Sequence, residues 1–363
     1  MHETLVRRMI LWTFALTCLV ILVAMFDPGF LASFAGLMVI PVSTSDRIEV
    51  LVTAGAPFAQ SVQTDLYFLS TDSSFTKVAG FTDMPHCVDA YRGELFVTFR
   101  QSSRDAGGTS SIFKDGKWAR SVPAPSGFDI VDVASFGDTM YALGMGADNK
   151  RIELCALGES GWQRVPEAYD AGKEITYAGS VAVRGGIDIL YATGKKGRFG
   201  TIDLDSIRWY HVLFDGKKWG AEEALDIPKG EVPRVSSYEG DLALLLLSTV
   251  EGEPVQLATV KQGELDVIAH IPTTDKGLIV RSWLVGLDGD EHVFLVGLGK
   301  LWDVPLANLV PGEARLLHEV PRGAVMRSSI YSTLAGFGAV LLVSLGIAWL
   351  VMRLRGLRRK GGA

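Results

Sequence analysis

The densest cluster of groups able to ligate a cation or move a proton is Asp288-Gly289-Asp290-Glu291-His292. A calcium loop needs oxygens at alternate positions and a distant bidentate carboxylate. The run offers no such partner, so it reads as a hairpin turn. Asp203 and Asp205 alternate and would share one face of a strand, where paired carboxylates can do acid–base work; a solvated strand face is the plainer reading. The six histidines, at 2, 86, 211, 270, 292 and 318, show no metal-ligand spacing. Cys87 and Cys155 alone would leave a metal short of ligands; both are expected to be buried free thiols, a single disulfide between them being the alternative. No GxGxxG, Walker loop, GxSxG or HExxH occurs. No catalytic, cofactor-binding or metal residue is therefore assigned, and no cofactor is expected.

The elements that would position any such residues come from a repeat. A polar turn with Gly beside an acid, then a short apolar strand, recurs at Arg92-Gly93-Glu94, Phe136-Gly137-Asp138, Gly185-Gly186-Ile187-Asp188, Glu239-Gly240-Asp241 and Asp288-Gly289-Asp290. The glycines at 93, 137, 186, 240 and 289 are 44, 49, 54 and 49 residues apart. Four-stranded propeller blades repeat at about 40–50 residues. Each phrase opens a series of short apolar strands separated by turns, with Asp115-Gly116, Asp215-Gly216 and Gln262-Gly263 where hairpins need positive φ. A further unit is assembled upstream from Ile48–Val52, Asp65–Leu69 and Phe75–Val78. The expected fold is all-β: roughly six blades of four antiparallel strands over residues 46–321.

Tyr141, Gly144 and Gly146 end one strand and Trp162 follows the next, with Trp118 and Trp219 in equivalent turns. In these features the body resembles a kelch-like β-propeller, which implies a ring of blades around a central funnel. The fourth of the five repeated units has Leu265 where the tryptophan is expected. The three repeated tryptophans read as packing between blades, since each buries a large apolar area. A sugar-stacking platform would instead use irregularly placed residues such as Trp209 or Trp302.

Two runs flank this body. Residues 9–26 and 330–352 carry no charge, and about 20 helical residues span a bilayer core. Both are expected to be transmembrane helices, the first an uncleaved signal anchor, although Ser33-Phe34-Ala35 offers a cleavage site. Arg7 and Arg8 precede the first; Arg353, Arg355, Arg358, Arg359 and Lys360 follow the second. Positive flanks stay inside, so residues 1–8 and 353–363 are expected in the cytoplasm and the body outside it. Residues 27–45 are read as linker with an interfacial helix over Phe30–Val42, and 322–329 as a second linker. Residues 27–329 hold 28 basic and 40 acidic side chains, a net charge of −12. No basic stripe suited to nucleic acid is present.

These features point to a membrane-anchored extracytoplasmic module that binds a protein or envelope component. Its partners are the bilayer, through two helices, and that component. Ser332, Gly336, Ala335 and Ala339 let helices approach closely, either within the chain or in a homodimer. The alternatives are a hydrolase or lyase acting in the central funnel, and a sensory or accessory ectodomain of a membrane transporter.

Overall fold

The computed structural model describes residues 37–320 apart from 45–46, 55–62, 71–73, 82–84, 100–108, 115, 124–127, 196–205, 249, 251, 274–278, 280, 288–289 and 298. The strands form six sheets, each built from consecutive antiparallel strands. Blade 1 spans Leu37–Phe81, blade 2 Pro85–Pro123 and blade 3 Ile130–Asp170; blade 4 spans Ile175–Leu225, blade 5 Glu231–Ile271 and blade 6 Arg281–Glu319. Four strands make each blade, except that in blades 3 and 6 the outer strand is broken into two short pieces pairing with the same third strand.

The first strand of every blade lies innermost: Leu37–Ser43, Pro85–Tyr91, Ile130–Phe136, Ile175–Val183, Glu231–Tyr238 and Arg281–Leu287. Each packs beside its counterpart in the next blade, and that of blade 1 meets that of blade 6, so the ring closes. Among the described residues no strand is exchanged between the first and last blades. Pro41, Pro85 and Pro233 all sit on inner strands. An inner strand has a sheet partner on one side only, and proline, lacking a donor, is tolerated on such an edge.

The core lies between blades, and one run shows how the sequence builds it. In Asp241–Ser248 six consecutive residues, Leu242 to Leu247, are buried. Side chains alternate across a strand, so Leu242, Leu244 and Leu246 pack with Leu190 and Leu225 of blade 4. Ala243, Leu245 and Leu247 pack with Val293, Leu295 and Val304 of blade 6. A middle strand covered on both faces therefore reads as continuously apolar. Turn chemistry agrees: Glu239 and Gly240 take φ 51° and 78°, the type I′ pair that matches the twist of a two-residue hairpin.

The repeated tryptophans join neighbouring blades as expected. Trp118 of blade 2 meets Phe81 of blade 1 at 5.3 Å between ring centroids. Trp162 of blade 3 meets Phe96 of blade 2 at 5.9 Å, and Trp219 of blade 4 meets Tyr169 of blade 3 at 5.5 Å. Leu265 of blade 5 packs towards blade 4, in the cluster containing Trp209. Trp302 is not a loop platform but a buried residue of Lys300–Ala307, 5% exposed in the core of blades 5 and 6. Trp209 lies in the strand Arg208–Phe214 and packs edge-on to Tyr177.

The expectation of an interfacial helix over Phe30–Val42, and of a body starting at 46, is corrected where the chain is described. Leu37–Ser43 is the inner strand of blade 1, paired residue by residue from Leu37↔Ala54 to Ser43↔Ile48. β-branched Val39, Ile40 and Val42 suit a strand, and this segment is the fourth strand that the sequence reading lacked in that blade. A short apolar run cannot be assigned from periodicity alone; the hydrogen-bonding edge of Ile48–Ala54 decides it. The segments 9–26, 330–352 and the small-residue face of the second lie outside the described residues. Among the described residues no helix is long and apolar enough to cross a membrane.

Candidate functional site: the central cavity

The six inner strands enclose a cavity of about 940 Å³, to which all of them contribute. Its lining is divided by charge. Blades 2 and 3 supply His86, Cys87, Asp89 and Asp132; blade 4 supplies Tyr177 and Ser180; blades 5 and 6 supply Arg234, Arg281 and Trp283.

The carboxylates are committed to the ring. Asp89 Oδ1 accepts from the Ala90 N–H at 2.8 Å and its Oδ2 from the Ser135 N–H of blade 3 at 2.6 Å. Asp132 repeats the device one blade on, accepting from Val133 N–H at 2.9 Å and Ser180 N–H of blade 4 at 2.7 Å. Each carboxylate thus ties two inner strands that share no backbone ladder. Burial raises both above the usual carboxylate range, against the pull of these bonds, and takes Asp89 from 3.8 to about 7. His86 Nε2 is 2.7 Å from the Ile130 carbonyl and adds a second tie between blades 2 and 3.

A pH effect follows. The folded chain holds the Asp89 proton more tightly than the unfolded chain, so this group's contribution to stability is complete below pH 3.8 and falls as pH rises towards about 7. Denaturant unfolding of the full chain, followed by tryptophan fluorescence, should show a flatter decline over that interval in Asp89→Asn than in wild type. Equal slopes would place the titration elsewhere.

The basic wall is arranged differently. Arg234 lies over the Trp283 ring, its guanidinium carbon 5.8 Å from the centroid, and faces the Tyr177 hydroxyl. Gly179 leaves room for that hydroxyl: a Cβ there would stand 2.9 Å from it. Arg281 opens the inner strand of blade 6. Burial and the adjacent Arg234 charge both depress its guanidinium below the ordinary arginine value.

The described members of the sequence cluster, residues 290–292, do not converge on a site. Asp290 is exposed, while His292 turns inward, its Nδ1 2.8 Å from Asp303 Oδ1, and Asp303 also binds Arg315. A similar pair, His211 with Asp188, bridges strands of blade 4 at 3.1 Å. Among the described residues no three His, Cys, Asp or Glu groups could hold a metal. Cys87 and Cys155 are buried free thiols, and burial pushes Cys155 up to about 11. Asp203, Asp205, Asp288 and Gly289 lie outside the described residues.

Sequence reasoning missed Tyr177, Arg234, Arg281 and Trp283, which are scattered over 107 residues. The available signal was positional. The inner-strand phrases Glu231–Tyr238 and Arg281–Leu287 carry arginines, which the other four inner strands lack.

These features define a six-bladed β-propeller with a ligand-sized cavity on its axis. No protein-family model matches the chain, and no curated protein matches it. Among solved structures, the fungal lectin of Aleuria aurantia, a six-bladed β-propeller described with a novel fucose recognition mode, is 11% identical. The likeness has a TM-score of 0.51 and covers 80% of this chain and 98% of that one. A mutant of that lectin in complex with Fucalpha1-6GlcNAc gives 0.53 at 10% identity, over 79% and 99%. Trypanosoma rangeli sialidase matches 83% of this chain and 57% of its own at 13% identity, with a TM-score of 0.48 that carries no argument. The lectins share the six-bladed fold; a kelch relationship gains nothing from them.

Proposed function

We propose that the propeller is a binding module whose ligand enters the central cavity, and that it is held outside the cytoplasm by the segments 9–26 and 330–352. The supporting observation is the cavity, whose volume of about 940 Å³ falls in the range of small-molecule clefts, ~300–1,000 Å³. Its acidic groups are engaged in backbone bonds, as a structural frame requires, while its basic and aromatic groups face the space. The six-bladed Aleuria aurantia lectin recognises fucose, which makes a binding role on this architecture a reasonable one. The ligand is borne by a protein or another envelope component next to the membrane.

Crosslinking of the full chain in intact cells, followed by mass spectrometry, should recover a membrane or envelope protein. Turnover of a glycan, peptide or ester by the purified chain, abolished by one acidic or histidine substitution, would replace this reading with the enzyme one. The topology has its own check. Protease added to intact spheroplasts should digest the propeller, and complete protection would reverse the orientation.

A further inference from the structure

We propose that Arg234 and Arg281 form a receptor for an oxyanion, a carboxylate or phosphate group carried by the ligand of the central cavity. The inference rests on the binding reading above and adds the chemistry of what is bound.

Two guanidiniums from adjacent inner strands line one cavity within electrostatic reach of each other. Arginine cannot relieve that repulsion by losing its proton. Among the described residues, Arg281 has no hydrogen-bond or ion-pair partner, and the charge acting on it is Arg234. Arg234 has Trp283 beside it at 5.8 Å and Tyr177 nearby, and its charge acts on Asp132. Asp132 is itself held by two backbone N–H groups and raised by burial. That constrained carboxyl acts on Arg234, while among the described residues no carboxylate pairs with Arg281.

A half-buried charge without a partner is costly unless something pairs with it. In a structural network the natural answer is a second carboxylate, as Asp303 provides for Arg315 in blade 6. Here that partner is lacking, and the guanidiniums face open volume instead. The planar fork of arginine matches carboxylate and phosphate oxygens two at a time. Trp283, whose ring centroid lies 5.8 Å from the Arg234 guanidinium carbon, offers an apolar face to the body of the ligand. The net charge of −12 over residues 27–329 makes this basic interior a local exception, which selects against simple anion adhesion to the surface.

The test uses the full chain in a zwitterionic detergent at constant ionic strength. Inorganic phosphate and acetate are titrated separately, followed by tryptophan fluorescence and thermal unfolding. A saturable response to either ion supports the receptor, the stronger one indicating whether the ligand bears phosphate or carboxylate. Arg281→Met should weaken that response about tenfold or more, the loss expected for a charge-assisted contact, with Arg281→Lys in between. Folding of the variant is checked by the same experiment. Without anion, Arg281→Met should unfold at a higher temperature than wild type, since a like charge is removed, and saturating phosphate should narrow the gap. A linear response to both ions, a Kd unchanged in Arg281→Met, or a lower unfolding temperature of that variant without anion would each overturn the receptor. Capture of the same crosslinked partner by wild type and Arg281→Met would reject the receptor and leave the binding reading intact. Anion binding without any partner would do the reverse.

Discussion

Asp303→Ala should destabilise the propeller by about 3–5 kcal/mol, the cost of removing one member of a buried ion pair. Asp303 is fully buried, with His292 on one carboxylate oxygen and Arg315 on the other. The alanine leaves the guanidinium without its counter-ion and the imidazole without its acceptor. Because the penalty is the orphaned charge and not the lost attraction, a second variant separates the two. Replacing Asp303, His292 and Arg315 together by apolar residues of similar volume should recover most of the loss. Both are read from urea unfolding of the full chain. If the triple variant is as unstable as Asp303→Ala, the cluster matters for shape and not for charge.

Trp162→Ala should cost about 3–5 kcal/mol, as large aromatic truncations in packed sites do. Trp162 packs against the core that blades 2 and 3 share and meets the fully buried Phe96 edge to face. Among the described residues its indole N–H has no partner, so its contribution is apolar packing between blades. Trp162→Phe should therefore cost clearly less than the alanine. Trp118, which is 37% exposed, offers a control at the equivalent position of blade 2: Trp118→Ala should cost less than Trp162→Ala. A loss below about 1 kcal/mol at Trp162, the level of an ordinary surface change, would remove the inter-blade role.

The two sites differ in how visible they were. Trp162 recurs in phase with Trp118 and Trp219, so its role followed from the repeat. The Asp303 network did not. Its members stand 11 and 12 residues apart, with no local motif, and meet only because their strands are adjacent in one sheet. His292 attracted attention for its neighbours Asp290 and Glu291, although Asp290 is exposed and alternation sends Glu291 to the face opposite His292.

What the chain determined locally was the architecture. Turn residues tolerant of positive φ, apolar strands of fixed length and a period near 49 residues dictate antiparallel blades, because each requirement acts over a few residues. Blade 1 escaped in part, since Leu37–Ser43 has the composition of either a strand or an apolar helix, and only the open edge of Ile48–Ala54 chose between them. The cavity was decided by tertiary structure alone. Ring closure brings Tyr177, Arg234, Arg281 and Trp283 from three blades into one lining, and commits Asp89 and Asp132 of blades 2 and 3 as ties between strands. Single residues drawn from successive repeats leave no short-range pattern, since each is spaced by a whole blade. Their chemistry exists only once the circle is closed.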